Sequence, residues 1–243
     1  MKQRVHLILC IAVGFAYYQI FSYLGIPFWA HALSVPVLTY LMIFATNIYS
    51  FRISLDFEEI PAKGYGSRVI DLKQNERNLF GLGFRKFDEF YWRISTDAVV
   101  YVYTNETRTV VLCDYHLGGV KFCDFVTHFE RGYSLTTSNT TSSGNVPRPN
   151  KKMLQIYHGA TFSEALKNHL QSVEFLKQKG FRVEHWHIQS FRLKFAKAFL
   201  NERENTTGLL SPIKLLYWMA TNYKFRYMKS VQQQFLAKTL ELP

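Results

Sequence analysis

The chain carries 243 residues, 48% hydrophobic and 16% aromatic, with a formal net charge of +11 from 29 Lys+Arg against 18 Asp+Glu. Its three cysteines exclude a disulfide-stapled scaffold and agree with a reduced compartment. The basic excess points to anionic partners.

Between Arg4 and Arg52 there is no Asp, Glu, Lys or Arg. A helix rises about 1.5 Å per residue and a bilayer core is about 30 Å thick. Val5–Phe51 is therefore about twice too long for one span and near the length for two. Gly25-Ile26-Pro27 supplies a break, because proline stops a helix and glycine permits a reversal. The reading is a transmembrane helical hairpin over 1–51, with spans of about 5–24 and 28–49. A signal peptide would use Met1-Lys2-Gln3-Arg4 as its basic start, but Phe15-Ala16-Tyr17-Tyr18-Gln19 is a poor cleavage site. Lys2 and Arg4 precede the hairpin and Arg52, Lys63 and Arg68 follow it, so both flanks are expected in the cytoplasm. The expected location is integral to a bacterial inner membrane with both termini cytoplasmic. Trp29 and Tyr49 are candidate interfacial residues.

Residues 52–79 read as a juxtamembrane connector, and 80–243 as a cytoplasmic α+β domain. Val99–Tyr103 is a β-branched and aromatic run closed by Thr104-Asn105-Glu106 as a turn. Thr109–Tyr115 follows, then a turn at Leu117-Gly118-Gly119, then Val120–Phe129, then a turn at Glu130-Arg131-Gly132 into Tyr133–Ser138. This predicts an antiparallel β-meander of about four strands, with Phe84–Arg93 as a further strand beside it. If Leu117 pairs with Val120, Cys113 faces Asp124 and Asp114 faces Cys123. The two sulfurs then point to opposite faces, and a disulfide between them is geometrically poor.

Thr136–Asn150 is rich in Thr, Ser, Asn, Gly and Pro and predicts a surface loop. Thr161-x-x-Glu164 is a capping box. It opens a helix whose apolar face is Ala165, Leu166, Leu170, Val173 and Leu176, and Gly180 stops it. Phe181–His187 reads as a short strand or connector. Ile188, Phe191, Phe195, Ala196 and Phe199 form a second stripe, opposed by Arg192, Lys194, Lys197 and Arg203. Ser211-Pro212 opens a third helix. Strands first and amphipathic helices afterwards make the class α+β.

From Phe181 onward ten Lys/Arg face four Glu. Such basic amphipathic helices suggest anionic headgroups of the lipid bilayer, or a protein, as partner. Leu209–Ala220 is the segment expected against the bilayer, with Lys214 and Trp218 at its interface, although an ordinary core helix reads equally well. Nucleic acid is disfavoured, since no recognition motif accompanies the basic residues.

The search for chemistry is mostly negative. Gly64-Tyr65-Gly66 and Gly81-Leu82-Gly83 lack the third glycine of a dinucleotide loop, and no phosphate loop or Gly-x-Ser-x-Gly elbow is present. His185 and His187 are candidate metal ligands, because alternate residues of a strand share a face, with His158 or His169 as a third. Cys113-Asp114-Tyr115-His116 holds thiol, carboxylate and imidazole locally, yet Cys113 and His116 point apart, which disfavours a nucleophile pair. No cofactor is expected.

Asp124-Phe125-Val126-Thr127-His128-Phe129-Glu130-Arg131-Gly132-Tyr133-Ser134-Leu135-Thr136-Thr137-Ser138-Asn139, followed by Pro147 and Pro149, resembles a group of uncharacterised bacterial membrane-anchored proteins. Their shared pattern is a strand, a glycine turn, a Leu-Thr-Thr-like strand and a Pro-containing loop before a helix. The likeness covers Phe80–Gly180 and carries over neither an activity nor a site residue. The functional expectation is a membrane-anchored, non-catalytic module that binds a partner or lipid. The alternative is a membrane-bound hydrolase using His185/His187 or the Thr136–Ser143 loop.

Overall fold

The core is one seven-stranded sheet in sequential order, covered on each face by a helix. The computed structural model describes residues 19, 23, 40, 57–58, 76–93, 97–117, 120–141, 148, 151–206, 217, 221 and 223–240. The chain divides into two units, Met1–Asn47 and Ile48–Pro243, and the fold below belongs to the second.

The strands are β1 (Phe57–Glu58), β2 (Phe84–Arg93), β3 (Asp97–Asn105), β4 (Val111–Leu117), β5 (Val120–Phe129), β6 (Tyr133–Ser138) and β7 (Lys152–Ile156). β1 to β6 pair antiparallel and β7 joins β6 in parallel. The α+β class and the meander agree with the sequence, including the register Leu117↔Val120, Asp114↔Cys123 and Cys113↔Asp124. β7 escapes sequence reading for a physical reason. Met153, Leu154, Gln155 and Ile156 are all buried, so the strand shows none of the alternation that marks a half-solvated one.

The expected loop from Thr136 also begins too early. Thr136, Thr137 and Ser138 belong to β6, where the Thr137 hydroxyl is wholly buried in a polar network.

Helix α1 (Phe162–Gln178) has the expected capping box: Thr161 Oγ1 accepts from Glu164 N, and Glu164 Oε2 accepts from Thr161 N. Gly180, at φ +89, ends the helical path in a conformation that suits glycine. α1 covers the face carrying Tyr103, Leu112, Phe125, Leu135 and Met153. Helix α2 (Phe191–Thr206) belongs to the cluster of Phe90, Trp92, Val100, Val102, Val111 and Tyr115 on the opposite face. There Phe195 is a hub: its ring meets Phe90, Trp92, Tyr115, Phe191 and Phe199 at centroid distances of 5.4, 5.3, 6.4, 5.6 and 4.9 Å. Helix α3 (Val231–Leu236) has a capping box of its own, Ser230 with Gln233, and Gln234 Nε2 donates to Leu154 O at 2.8 Å.

Two departures concern α1. Leu170, read as part of its apolar face, is 45% exposed, whereas His169 and Ser172 are buried. The helical face is therefore partly polar, and the sheet beneath it supplies matching hydroxyl and amide groups.

Among the described residues no helix is long and apolar enough to cross a membrane. The expectation of an integral inner-membrane protein with both termini cytoplasmic is corrected on that finding. α1 and α2 are 17 and 16 residues long and carry charged residues, whereas a span needs about 20 mostly apolar residues. Apart from Gln19, Tyr23 and Tyr40, the expected spans of about 5–24 and 28–49 lie outside the described residues, as do Trp29, Tyr49, Lys214 and Trp218.

Candidate functional site

The segment between α1 and α2 sets the arrangement of the candidate groups. β4 starts opposite Val126, so the end of β5 loses its neighbour on that side. The chain after α1 fills the gap. Val183 bridges Phe129, Glu130 N donates to Arg182 O at 2.9 Å, and Glu184 N donates to His128 O at 2.9 Å. Trp186 N then donates to Arg108 O at 2.7 Å in the β3–β4 turn. Phe181 packs with the α1-side cluster and Trp186 with the α2-side cluster, so this strap carries the chain from one sheet face to the other. Backbone groups orphaned by the short β4 are satisfied in the process.

The strap decides the fate of the two histidines singled out as metal ligands. His185 is exposed and its Nδ1–H donates to Thr107 O at 2.8 Å. His187 is exposed and precedes a short 3-10 turn, Ile188–Ser190, whose Ser190 Oγ donates to the His187 carbonyl. His158 is exposed and His169 is buried on the α1 side of the sheet. Among the described residues no group of three His, Cys, Asp or Glu side chains is placed to hold a metal ion.

His169 instead anchors a closed buried network. Its Nε2 lies 2.9 Å from Thr127 Oγ1 and its Nδ1 2.7 Å from Thr137 Oγ1. Gln155 Nε2 donates to Thr137 Oγ1 at 2.7 Å, while Gln155 Oε1 accepts from Ser172 Oγ and from Val231 N. In the Nε2–H tautomer, Thr137 accepts from Gln155 and donates to His169 Nδ1, while Nε2–H donates to Thr127. Burial pushes the His169 pKa down to about 3, which keeps the ring neutral in this role.

Cys113 and His116 do lie on opposite faces, as the strand alternation requires. What sequence reading passed over is the Asp114-x-His116 pair, which the same alternation puts on one face. His116 Nε2 lies 3.2 Å from Asp114 Oδ2, both side chains are buried, and Tyr101 packs edge-on to the imidazole at 5.5 Å. Burial, reinforced by Glu89, raises the Tyr101 phenol to about 12. Cys123 sits directly across from Asp114, and burial, then Asp124 and Asp114, push its thiol upward. Cys113 is raised by burial and by Asp124. Both stay protonated and are poor nucleophiles. A cavity of about 180 Å³ beside the pair is lined by Asp114, Lys121, Phe122, Asn139, Ala160 and Phe162.

The solvent side of the strap and α2 is basic. Arg182, His185, His187 and Lys197 are exposed and Lys194 is half-buried, with Glu184 as the intervening carboxylate. Lys194 Nζ stands 5.6 Å from the Trp186 ring centroid. Arg192, by contrast, is engaged by Asp88 through bonds of 2.8 and 2.6 Å. Comparisons with protein-family models, curated proteins and solved structures give no match.

Proposed function

We propose that this domain is a non-catalytic binding module whose basic face, on the strap and helix α2, docks an acidic segment of a protein partner. The observation that carries the reading is the concentration of cations at the exposed Arg182 and Lys197 and the half-buried Lys194, joined by the exposed His185 and His187, on one continuous stretch with Glu184 as its carboxylate. A surface of one sign steers an oppositely charged partner and sets its on-rate.

The chemistry of this face favours a protein over the other polyanions. Trp186, Phe191 and Phe195 are buried against the sheet, so they offer no ring on which a base could stack. Leu193 is the one large apolar side chain that α2 exposes among its described residues, too little apolar area to sink into lipid.

The test is fluorescence anisotropy of a labelled poly-glutamate peptide titrated with the full chain. Saturable binding that weakens with added salt is expected, and Lys194→Glu with Lys197→Glu should reduce affinity about tenfold or more. Unchanged affinity in the double variant, or tighter binding to single-stranded RNA or to vesicles of anionic lipid, overturns the reading.

A further inference from the structure

We infer that the row His128–Ser134–Lys152 across β5, β6 and β7, together with Trp186 and Lys194 beside it, forms an oxyanion site that takes a phosphoryl group. This goes beyond the acidic-partner reading and does not depend on it.

The row follows from register. His128 pairs with Ser134 and Ser134 with Lys152, so the three side chains share the α2 face of the sheet. The strap lays Trp186 against the row: the His128 and Trp186 ring centroids are 4.0 Å apart, and Lys194 Nζ stands over the same indole. Five groups from five separate segments thus lie along or beside one row, all of them hydrogen-bond donors and two of them cations.

Their needs are not met internally. Trp186 is 6% exposed, and its buried Nε1–H has no acceptor among the described residues. Native proteins seldom leave such a donor unpaired, because its lost hydration is then not repaid. Neither Lys152 nor Lys194 forms an ion pair with a carboxylate among the described residues; Lys152 Nζ donates only to the Gly132 carbonyl, at 3.1 Å. Burial lowers the Lys152 pKa, and Glu184 offsets this in part. Burial, then Lys152, then Lys194 push His128 down to about 3. The carboxylate that acts on the row is Glu184, through Lys152. A tetrahedral oxyanion would supply acceptors to the indole and hydroxyl and neutralise the ammonium groups, as lysines do at phosphate sites.

The experiment is a titration of the full chain with inorganic phosphate, followed by phosphorus NMR and calorimetry. One saturable site is expected. Lys152→Met should weaken it at least tenfold, and Trp186→Phe, which keeps the ring and removes the N–H, several-fold. Lys194→Met, at a half-buried helix position, gives the same reading should Lys152→Met perturb folding by circular dichroism. A phosphoserine peptide binding more tightly than inorganic phosphate identifies a phosphorylated side chain as the source. Equal affinity identifies the free ion, and either result supports the site. Absence of saturable phosphate binding, or binding indifferent to both Trp186→Phe and Lys194→Met, overturns it. Because poly-glutamate carries no phosphoryl group, its binding or failure to bind judges the acidic-partner reading separately.

Discussion

Acidification should destabilise the domain through His169, by an amount that follows from its burial. The imidazole is 0% exposed and its pKa lies at about 3, against about 6.5 in an unfolded chain. The folded state thus holds the neutral ring where the unfolded state binds a proton. Stability from this group is complete above pH 6.5 and is lost as pH falls toward 3. The loss is about 1.4 kcal/mol per pH unit, so about 2 kcal/mol between pH 6.5 and pH 5. Geometry gives the same answer. A protonated ring must donate from both nitrogens, so the Thr137 hydroxyl would have to turn its proton away from Nδ1 within the core. The assay is urea unfolding at a series of pH values for the native chain and for His169→Gln, which cannot titrate. His128, also lowered, contributes equally to both proteins, so the difference isolates His169. Curves that run parallel from pH 7 to pH 5 would refute the argument.

Three further outcomes are expected. Thr137→Val should cost about 3 kcal/mol in urea unfolding, since it strands both a His169 nitrogen and a Gln155 N–H in the core; a cost below about 0.5 kcal/mol would mean the network relaxes freely. Phe195→Ala should cost about 4 kcal/mol, because it empties the hub between α2 and the sheet, whereas Leu193→Ala, two residues earlier and 73% exposed, should change stability little; comparable thermal shifts for the two would count against the assigned helix face. Cys113 and Cys123 should resist maleimide in the native chain and label fully in urea, as read by peptide mass mapping, because both thiols are buried and held protonated. Prompt native labelling at either position would contradict their placement.

Local signals carried the hairpin and helix readings. Leu117-Gly118-Gly119-Val120 placed a tight turn and with it the whole β4–β5 register, because period-two alternation propagates from one fixed pair. Thr161 and Glu164 placed the start of α1, since both halves of a capping box lie within four residues. Asp114 with His116 was legible by the same alternation and was passed over in favour of the thiol beside it. The oxyanion row was not legible: His128, Ser134 and Lys152 come together only through two strand pairings, and Trp186 arrives on a strap.

By itself the sequence determined what depends on neighbours in the chain: the α+β class, the antiparallel meander, opposite faces for Cys113 and Cys123, the cap of α1, and a basic balance toward the end. Tertiary structure alone decided the rest. It added β7 in parallel, because a strand buried on both faces has no periodic signature. It turned His169 from a possible ligand into a buried neutral link, because only the sheet beneath α1 supplies Thr127 and Thr137. It placed the strap in the gap beside β5, since backbone groups left by a short β4 must find partners wherever the chain can bring them. Properties fixed within a few residues can be read along the chain, whereas those fixed by contact across it are settled only when the sheet has assembled.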